Sequence, residues 1–197
     1  MFWYGMVVSS SSSMSLTIFM LALIFFHSTE YLLSRVVHAR GELLLSFPYL
    51  VAMSLALVEF TVECFLFTSY KKRVLSLVST LGITMVLFGE LMRKAAIIHA
   101  QKAFTLQVQT RKRQEHALIT TGIYRYVRHP AYLGWTVWAV GTQFLLGNLI
   151  CIPLFYHLAM KFFQERIPVE ENLLASFFGE QWHAYRKKTP TYLPGIP

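Results

Sequence analysis

The sequence predicts an all-α, polytopic integral membrane protein with about five transmembrane helices. Of its 197 residues, 55% are hydrophobic and only 14% are charged, and the mean hydropathy is +0.46. A soluble domain of this size needs more charge to cover its surface. Several apolar runs also approach the roughly 20 residues that a helix needs to cross a hydrocarbon core of about 30 Å. We therefore expect one membrane domain over residues 1–197.

Three spans are expected in the first half of the chain, over residues 14–92. A serine run precedes them, and we expect residues 1–13 to form a flexible tail. The first span should be a retained helix and not a cleaved signal peptide, because no basic segment precedes it and no small-residue cleavage site follows it. The three apolar runs are about 14–33, 43–67 and 74–91.

The second apolar run contains two acidic residues, Glu59 and Glu63, four residues apart. This spacing places both side chains on one face of a helix. Charged groups are costly inside a span and usually face a partner or a cavity. We therefore expect either a paired or neutralised structural role for them, or a place in the lining of a tunnel for a lipid.

A long polar segment over residues 93–130, rich in Lys, Arg and Gln, separates these spans from the rest of the chain. Two shorter apolar runs follow within residues 131–163, and Gly147-Asn148 divides them. This pair predicts a tight turn, so the two runs form either a helical hairpin or two short spans. Residues 164–197 are charged and end in a proline-rich tail. The acids after Pro168 predict the start of a new helix there.

The distribution of basic residues predicts the orientation of the chain. Five spans place its two ends on opposite sides of the membrane. With a cytosolic C-terminus, only Lys71, Lys72 and Arg73 lie on the outer side, which leaves 15 of the 18 Lys and Arg residues on the cytosolic side. The positive-inside rule favours that orientation. The segments 93–130 and 164–197 would then be cytosolic.

Composition also argues against several kinds of partner. The basic residues that give the net charge of +8 lie mostly beside apolar spans, where they suit anionic lipid headgroups. They do not form a solvated basic domain of the kind that binds nucleic acid. The two cysteines, Cys64 and Cys151, both lie in apolar runs, with no disulfide framework and no zinc-ligand spacing. We therefore expect membrane lipid around the chain, no nucleic acid and no metal.

Two motifs in the polar segments can carry chemistry. Arg128-His129-Pro130-Ala131-Tyr132-Leu133-Gly134 stands at the start of the fourth span, where Pro130 suits a first helical turn. It either anchors the helix at the membrane interface or forms a polar mouth for a water-soluble cofactor. Glu165-Arg166-Ile167-Pro168-Val169-Glu170-Glu171 follows the last span. Its acids either cap a helix, or Arg166 binds a carboxylate in bidentate fashion while Glu170 binds an ammonium or ribose hydroxyls.

Together these motifs resemble the isoprenylcysteine carboxyl methyltransferase family. The resemblance covers nearly the whole chain, is dense over about 89–197, and in its short N-terminal part is similar to the plant-type members. RHPxYxG alone is shared with related membrane methyltransferases and reductases, but the Arg-Glu-Glu segment and FFGxxW that follow make the match specific. The matching segments are 89–96, 115–124, 128–135, 141–143, Arg166 with Glu170-Glu171, 177–182 and Tyr185.

The resemblance implies a cytosolic cofactor-binding region formed by the middle loop and the C-terminal helix, with S-adenosylmethionine as the cofactor. It implies methyl transfer to the C-terminal carboxylate of a farnesylated or geranylgeranylated cysteine in CaaX-processed proteins, at the endoplasmic reticulum membrane with the active site facing the cytosol. Arg166 corresponds to the arginine that meets this carboxylate, and so carries both catalysis and substrate binding. The implied cofactor residues are Gln109, His116, Ala117, Leu118, Ile119, Tyr124, His129, Pro130, Ala131, Tyr132 and Glu170.

The implied reaction needs no general base. The α-carboxylate of the acceptor has a pKa of roughly 3.5 and is already ionised at neutral pH. The protein therefore has to align the carboxylate with the methyl donor and exclude water. Ala117 and Ala131 stand where relatives have a hydroxyl residue. Either the cofactor contacts at these two positions run through backbone groups and little is lost, or they run through side chains and cofactor affinity is lower.

Three alternative functions remain open on the residues alone. A sterol-type membrane reductase would need more preceding spans and basic contacts for the 2′-phosphate of NADPH. A phospholipid N-methyltransferase would accept an amine, and Arg166 would repel that acceptor once it is protonated. A non-catalytic lipid-binding membrane adaptor would bind anionic lipid through its basic loops and would have no affinity for a methyl donor.

Overall fold

The predicted all-α class is confirmed. The computed structural model describes residues 10–38, 41, 43–112 and 117–196, and every regular element within these residues is helical. The α-helices of this part of the chain are α1 (Ser10–His38), α2 (Phe47–Leu66), α3 (Thr68–Ala100), α4 (Pro130–Leu146), α5 (Cys151–Phe178) and α6 (Glu180–Lys188). Short 3-10 helices occupy Gln101–Ala103 and Gly122–Arg125.

The chain is a multi-pass membrane protein. Within the described residues, three helical segments are long and apolar enough to cross a bilayer, and they are Ser10–Val37, Phe47–Leu66 and Thr68–Ala103. Large apolar side chains on them remain exposed, Leu21 by 60% and Leu77 by 74%, as expected for side chains that face lipid. The 17 residues of α4 are about 26 Å long.

The first and third helices extend beyond their predicted ends. α1 begins at Ser10, inside the segment predicted to be a tail, and residues 1–9 of that segment lie outside the described residues. α3 continues to Ala100, well into the predicted polar segment. Its charged residues can remain helical because Arg93 and Lys94 both pair with Glu30 of α1, Arg93 at 2.7 Å and Lys94 at 2.5 Å.

The prediction that a new helix starts at Pro168 is wrong. α5 runs without a break from Cys151 to Phe178 and contains Pro168 in its interior. A proline there removes one backbone donor and crowds the preceding turn. The residues beside it are nevertheless held in place, because Ile167 is fully buried and Glu171 is 4% exposed. Packing on both sides of Pro168 therefore outweighs its tendency to end the helix.

Glycines allow α3 and α4 to approach each other closely. Gly89 on α3 lies opposite Gly134 on α4. Gly82 lies against the backbone of Leu145, and Gly141 lies against Met85 and Val86. A Cβ atom at Gly89 would lie 2.5 Å from the Gly134 carbonyl oxygen, which is an impossible contact. Small residues at such crossings are typical of helices packed in membranes. This crossing brings Arg93 against α4, where its Nη1 donates to the Ala131 carbonyl oxygen at 3.1 Å.

The two acids of α2 have the paired structural role. Lys71 is fully buried, and its ammonium donates to the Glu63 carboxylate. The Glu59 carboxylate accepts from the backbone N–H groups of Ile150 and Cys151, at 2.6 and 2.8 Å, and so caps the start of α5. Neither acid lines the cavities described below. The paired role is confirmed, and the Lys71 side chain is enclosed by protein.

The predicted turn between the last two apolar runs is also confirmed. Gly147 ends α4 in the left-handed conformation, with φ +63°, and its carbonyl oxygen accepts from Lys71 at 3.0 Å. The amide nitrogen of Asn148 donates to the Ala56 carbonyl oxygen of α2 at 2.9 Å. α4 and α5 therefore form a helical hairpin whose turn is bonded to α2 and α3.

Candidate active site

An apolar cavity of about 510 Å³ lies between α2, α4 and α5. Its inner end is formed by Met53, Ala139 and Phe155, all less than 10% exposed. Its rim includes Leu158 and Phe162, which are about half exposed on the outer surface of α5. The cavity therefore opens sideways on the membrane side of the hairpin and closes toward the protein core.

A second, more polar cavity adjoins the first. Both are lined by Phe104, Thr105 and Tyr132. The structure brings nine of the eleven predicted cofactor residues into this second cavity, namely Ala117, Leu118, Ile119, Tyr124, His129, Pro130, Ala131, Tyr132 and Glu170. A third cavity contains Gln109 and shares Ala117 and Glu170 with the second. His116 lies outside the described residues.

A hydrogen-bonded chain of three side chains crosses the boundary between the two cavities. Arg166 donates from Nε to the Tyr132 hydroxyl at 2.9 Å, and that hydroxyl donates to the Glu170 carboxylate at 2.6 Å. Arg166 and Glu170 are four residues apart on α5, so helical geometry places both on the face of α5 that is turned toward Tyr132. Arg166 lines the apolar cavity, Glu170 lines the polar one, and Tyr132 lines both.

Aromatic packing fixes the position of Tyr132. The His129 ring is parallel to it, with centroids 5.4 Å apart and planes 6° apart. The Phe163 ring stacks on it with centroids 4.7 Å apart. Because the ring is held by both neighbours, the hydroxyl is directed at Arg166 and Glu170 by packing as well as by hydrogen bonds.

Arg166 and Arg93 both line the apolar cavity, but their hydrogen bonds differ. Arg93 binds both carboxylate oxygens of Glu30, at 2.9 and 2.7 Å, and uses Nη1 for Ala131. Arg166 donates to Tyr132 and, from Nη2, to the Leu106 carbonyl oxygen. Its Nη1 has no hydrogen-bond partner among the described residues. Of these two guanidinium groups, Arg93 is already paired with a carboxylate, so Arg166 is the better placed to bind an anionic ligand.

A buried ionic cluster centred on Glu171 lies next to the site and contacts His129. Its carboxylate accepts from Arg128 Nε at 3.0 Å and from Arg186 Nε at 3.1 Å, and lies 3.2 Å from His129 Nε2. Burial alone would raise the pKa of Glu171, but His129, then Arg128 and Arg186, hold that pKa below its ordinary value. Arg128 also donates to the Thr189 carbonyl oxygen at 2.6 Å. The interfacial-anchor alternative for Arg128 is therefore wrong, because its guanidinium is enclosed by protein.

The second cavity has walls that were not among the predicted site residues. Trp182, 2% exposed, and Tyr185 line it from α6, and Leu174 lines it from α5. The Tyr185 hydroxyl donates to the Tyr124 carbonyl oxygen at 2.6 Å and so joins α6 to the loop before α4. The match to the FFGxxW segment and to Tyr185 was the signal for Trp182 and Tyr185, although the resemblance gave them no role. Leu174 lies outside the matching segments.

Comparisons with known proteins show the family to which the chain is similar. Residues 81–176 match the model of a family described as "Isoprenylcysteine carboxyl methyltransferase (ICMT) family". Protein-S-isoprenylcysteine O-methyltransferase B of Arabidopsis thaliana is 38% identical over 195 residues, which cover 96% of this chain and 98% of the relative. The protein-S-isoprenylcysteine O-methyltransferase of Homo sapiens is 39% identical over 184 residues, 90% of this chain and 64% of the relative.

The fold has a solved counterpart as well. A eukaryotic intramembrane Ras methyltransferase, an isoprenylcysteine carboxyl methyltransferase, superposes with a TM-score of 0.89 at 32% identity. The match covers 97% of this chain and 70% of that one. Sequence and fold thus agree over almost the whole chain, and its length is close to that of the Arabidopsis thaliana relative. The chain belongs to the isoprenylcysteine carboxyl methyltransferase family.

Proposed function

We propose that the chain transfers a methyl group from S-adenosylmethionine to the C-terminal carboxylate of a prenylated cysteine. The position of Arg166 carries this proposal. It lies where an apolar cavity, open to the membrane side, meets a polar cavity built from the middle loop and α6. An acceptor with an apolar tail and an anionic head requires this combination of surroundings.

The apolar cavity suits the prenyl chain. A farnesyl or geranylgeranyl group is apolar and lies in the bilayer, so it reaches the site sideways and not through water. The exposed rim residues Leu158 and Phe162 mark such a lateral opening. The buried inner residues then offer the tail an environment as apolar as the lipid that it leaves.

The second and third cavities fit the cofactor by the chemistry of their lining. Glu170 borders both and is 28% exposed at its side chain, so its carboxylate can hold an ammonium group. Leu118, Ile119 and Trp182 supply apolar walls for an adenine ring. When bound, S-adenosylmethionine supplies an electrophilic methyl group on its sulfonium. Ala117 and Ala131 are the small residues of this lining that come from the two matching segments.

Arg166 orients the acceptor carboxylate in this mechanism. The carboxylate arrives ionised, since its pKa is roughly 3.5, and no residue has to remove a proton from it. The free Nη1 donors of Arg166 bind it, while the bonds to Tyr132 and Leu106 hold the guanidinium still. Positioning of this kind can supply about 7–11 kcal/mol of the barrier reduction. The aromatic rings around the site exclude water from the reacting atoms.

Five spans with a cytosolic site are part of the same proposal. The cavities lie at the end of the helices opposite the cluster of Lys71, Glu59 and Glu63. Placing the cavity end in the cytosol gives that side most of the basic residues. α4 and the first half of α5 then cross the bilayer as the fourth and fifth spans. Residence in the endoplasmic reticulum is carried over from the resemblance.

Electrostatics disfavours the alternative enzymes. A phospholipid N-methyltransferase would bring a cationic amine toward the guanidinium of Arg166, which would repel it. A reductase would need basic groups for the 2′-phosphate of NADPH. Among the described residues, Arg128 is the Lys or Arg residue that lines the second cavity, and its guanidinium is already bonded to Glu171 and Thr189.

The decisive experiment measures methyl transfer by the purified chain in lipid nanodiscs. The acceptors are a farnesylated N-acetylcysteine, its methyl ester and phosphatidylethanolamine, each with radiolabelled S-adenosylmethionine. We expect transfer to the free carboxylate alone. Transfer to the phospholipid alone, or no cofactor binding, would contradict the proposal.

Two sets of variants test the assigned roles. Arg166→Ala should abolish transfer and leave cofactor affinity largely intact, while Lys161→Ala, an exposed position on the same helix, should leave both unchanged. Glu170→Ala or His129→Ala should weaken cofactor binding by calorimetry. Unchanged turnover in Arg166→Ala would remove that residue from its role, and unchanged cofactor affinity would remove the other two.

A further inference from the structure

We propose that Lys112 is a positioning residue for methyl transfer, because it anchors to the end of α5 the segment 104–112, which holds Arg166 and walls the cofactor cavities. This role rests on the proposed function and adds to it a residue that lines none of the three cavities. Two contacts between the segment 104–112 and α5 point to it, one near each end of the segment.

The first contact holds the arginine that we assign to the acceptor. The Leu106 carbonyl oxygen accepts a hydrogen bond from Nη2 of Arg166. Phe104 and Thr105, just before it, line both the apolar cavity and the second cavity, and so form part of the boundary between them. A shift of this part of the segment would therefore loosen the guanidinium and change the boundary between the two proposed ligands.

The second contact lies at the far end of the segment and depends on charge. The Lys112 ammonium donates to the Phe177 carbonyl oxygen at 2.7 Å and lies 4.8 Å from the centroid of the Phe178 ring. Both partners are in the last turn of α5, which ends at Phe178. The C-terminal end of a helix carries the negative end of its dipole and attracts a cation, and the face of an aromatic ring attracts one as well. Lys112 is therefore held by two features of α5 that favour a positive charge.

Between these two contacts the segment runs along one face of α5. Arg166 and Phe177 are eleven residues apart, which is about 16 Å along the helix. The chain from Leu106 to Lys112 advances by six residues and can span at most about 20 Å, which is enough to bridge that distance. It forms a wall of the proposed cofactor site, since the third cavity is lined from both sides. The lining residues are Gln107, Val108 and Gln109 of the segment and Glu170, Leu173, Leu174, Phe177 and Phe178 of α5.

Hydrogen bonds inside the segment do not replace this anchor. The side chains of Thr105 and Gln109 both donate to the Gln107 carbonyl oxygen, at 2.9 and 3.1 Å. These bonds shape the segment but do not attach it to α5. Loss of the Lys112 contact should therefore let the wall move away from the helix as a unit, which weakens cofactor binding and the restraint on Arg166 together.

Lys112→Met tests this role, because it keeps a long unbranched side chain and removes the charge. We would measure the Kd for S-adenosylmethionine, kcat/KM for farnesylated N-acetylcysteine at saturating cofactor, and the unfolding temperature in detergent. We expect the Kd to rise and kcat/KM to fall, each by about fivefold, as for the joint loss of an exposed charge–dipole contact and an exposed cation–π contact. The unfolding temperature should stay the same, because Lys112 is exposed.

Two matched variants separate positioning from the general loss of a lysine. Lys112→Arg keeps the positive charge and should restore both the Kd and kcat/KM. Lys102→Met removes an exposed lysine just before the segment that lines none of the three cavities, and should leave all three quantities unchanged. Because both contacts of Lys112 are electrostatic and exposed, the difference between Lys112→Met and the unmodified chain should shrink at high salt.

The possible results distinguish this role from the function on which it rests. A Kd and a kcat/KM that both stay within twofold of the unmodified chain in Lys112→Met overturn this inference alone. A lower unfolding temperature in Lys112→Met, with no recovery of turnover in Lys112→Arg, would assign a structural role to Lys112 and overturns it as well. Absence of methylation of the prenylated cysteine by the unmodified chain overturns the proposed function, and with it the role of Lys112.

Discussion

Replacing Tyr132 by Phe removes the hydroxyl that joins the two halves of the proposed site. The ring remains, so its stacking on His129 and Phe163 is kept. Two hydrogen bonds to charged groups are lost, one from Arg166 at 2.9 Å and one to Glu170 at 2.6 Å. The substitution therefore isolates the effect of the hydroxyl from that of the ring.

The expected magnitude follows from these two bonds. A hydrogen bond to a charged group contributes about 1.5–3 kcal/mol when buried. Solvent reaches Glu170, which is 28% exposed, and Arg166 keeps its bond to the Leu106 carbonyl oxygen. We therefore expect the two together to be worth about 2 kcal/mol, which corresponds to a loss of roughly 30-fold in kcat/KM.

The assay separates the two sites that the hydroxyl joins. Acceptor kcat/KM would be measured at saturating cofactor, and cofactor affinity by calorimetry, for Tyr132→Phe and for Tyr156→Phe as an exposed control on α5. We expect both quantities to fall in the first variant and neither in the second. If Tyr132→Phe stays within twofold of the unmodified protein in both kcat/KM and cofactor affinity, the hydrogen bonds of the Tyr132 hydroxyl do not contribute to acceptor turnover or cofactor binding, and the prediction is wrong.

Two further predictions concern the buried ionic groups. Lys71→Ala leaves the Glu63 carboxylate without its partner, so the free energy of unfolding in detergent should fall by about 3–5 kcal/mol. Lys72→Ala, at an exposed position, is the control and should change this free energy little. Equal stability of the two variants would contradict the pairing. Glu171→Gln should lower the unfolding temperature at neutral pH. The pKa of Glu171 is lowered in the folded state. The stabilisation that its ionised carboxylate contributes is therefore fully present above its ordinary pKa of about 4.3 and is lost as the pH falls through its pKa in the folded state. The difference between the unmodified chain and the variant should therefore shrink in acid, and a difference that does not vary with pH would contradict this assignment.

Local features of the sequence were sufficient for much of the fold and of the site. The turn at Gly147 and the helix start at Pro130 depend on backbone preferences of single residues, and both are found as predicted. The motif that begins at Arg128 places its residues at the start of α4 for the same reason. Most residues transferred by resemblance line the second cavity because they come from two short segments beside that helix.

The remaining features depend on partners far apart in the chain. Glu30 binds Arg93 across 63 residues, and Arg128 binds Glu171 across 43. No periodicity or spacing connects such positions, because they meet only after the helices have packed. The prediction of a helix start at Pro168 is wrong for a related reason, since proline locally favours a helix boundary and only the burial of Ile167 and Glu171 shows why α5 continues.

Glu170 and Glu171 show how far this dependence reaches into the site. They are adjacent, chemically identical and on the same helix, yet their side chains are 28% and 5% exposed. A step of one residue turns the side chain by about 100° around the helix axis, so Glu170 points to the cavities and Glu171 to the cluster of Arg128 and Arg186. One acid is therefore free to meet a cation from outside the chain, while the other is neutralised by the chain itself. Because Glu171 also holds His129, which stacks on Tyr132, the closed cluster sets the geometry on which the open acid and Arg166 depend.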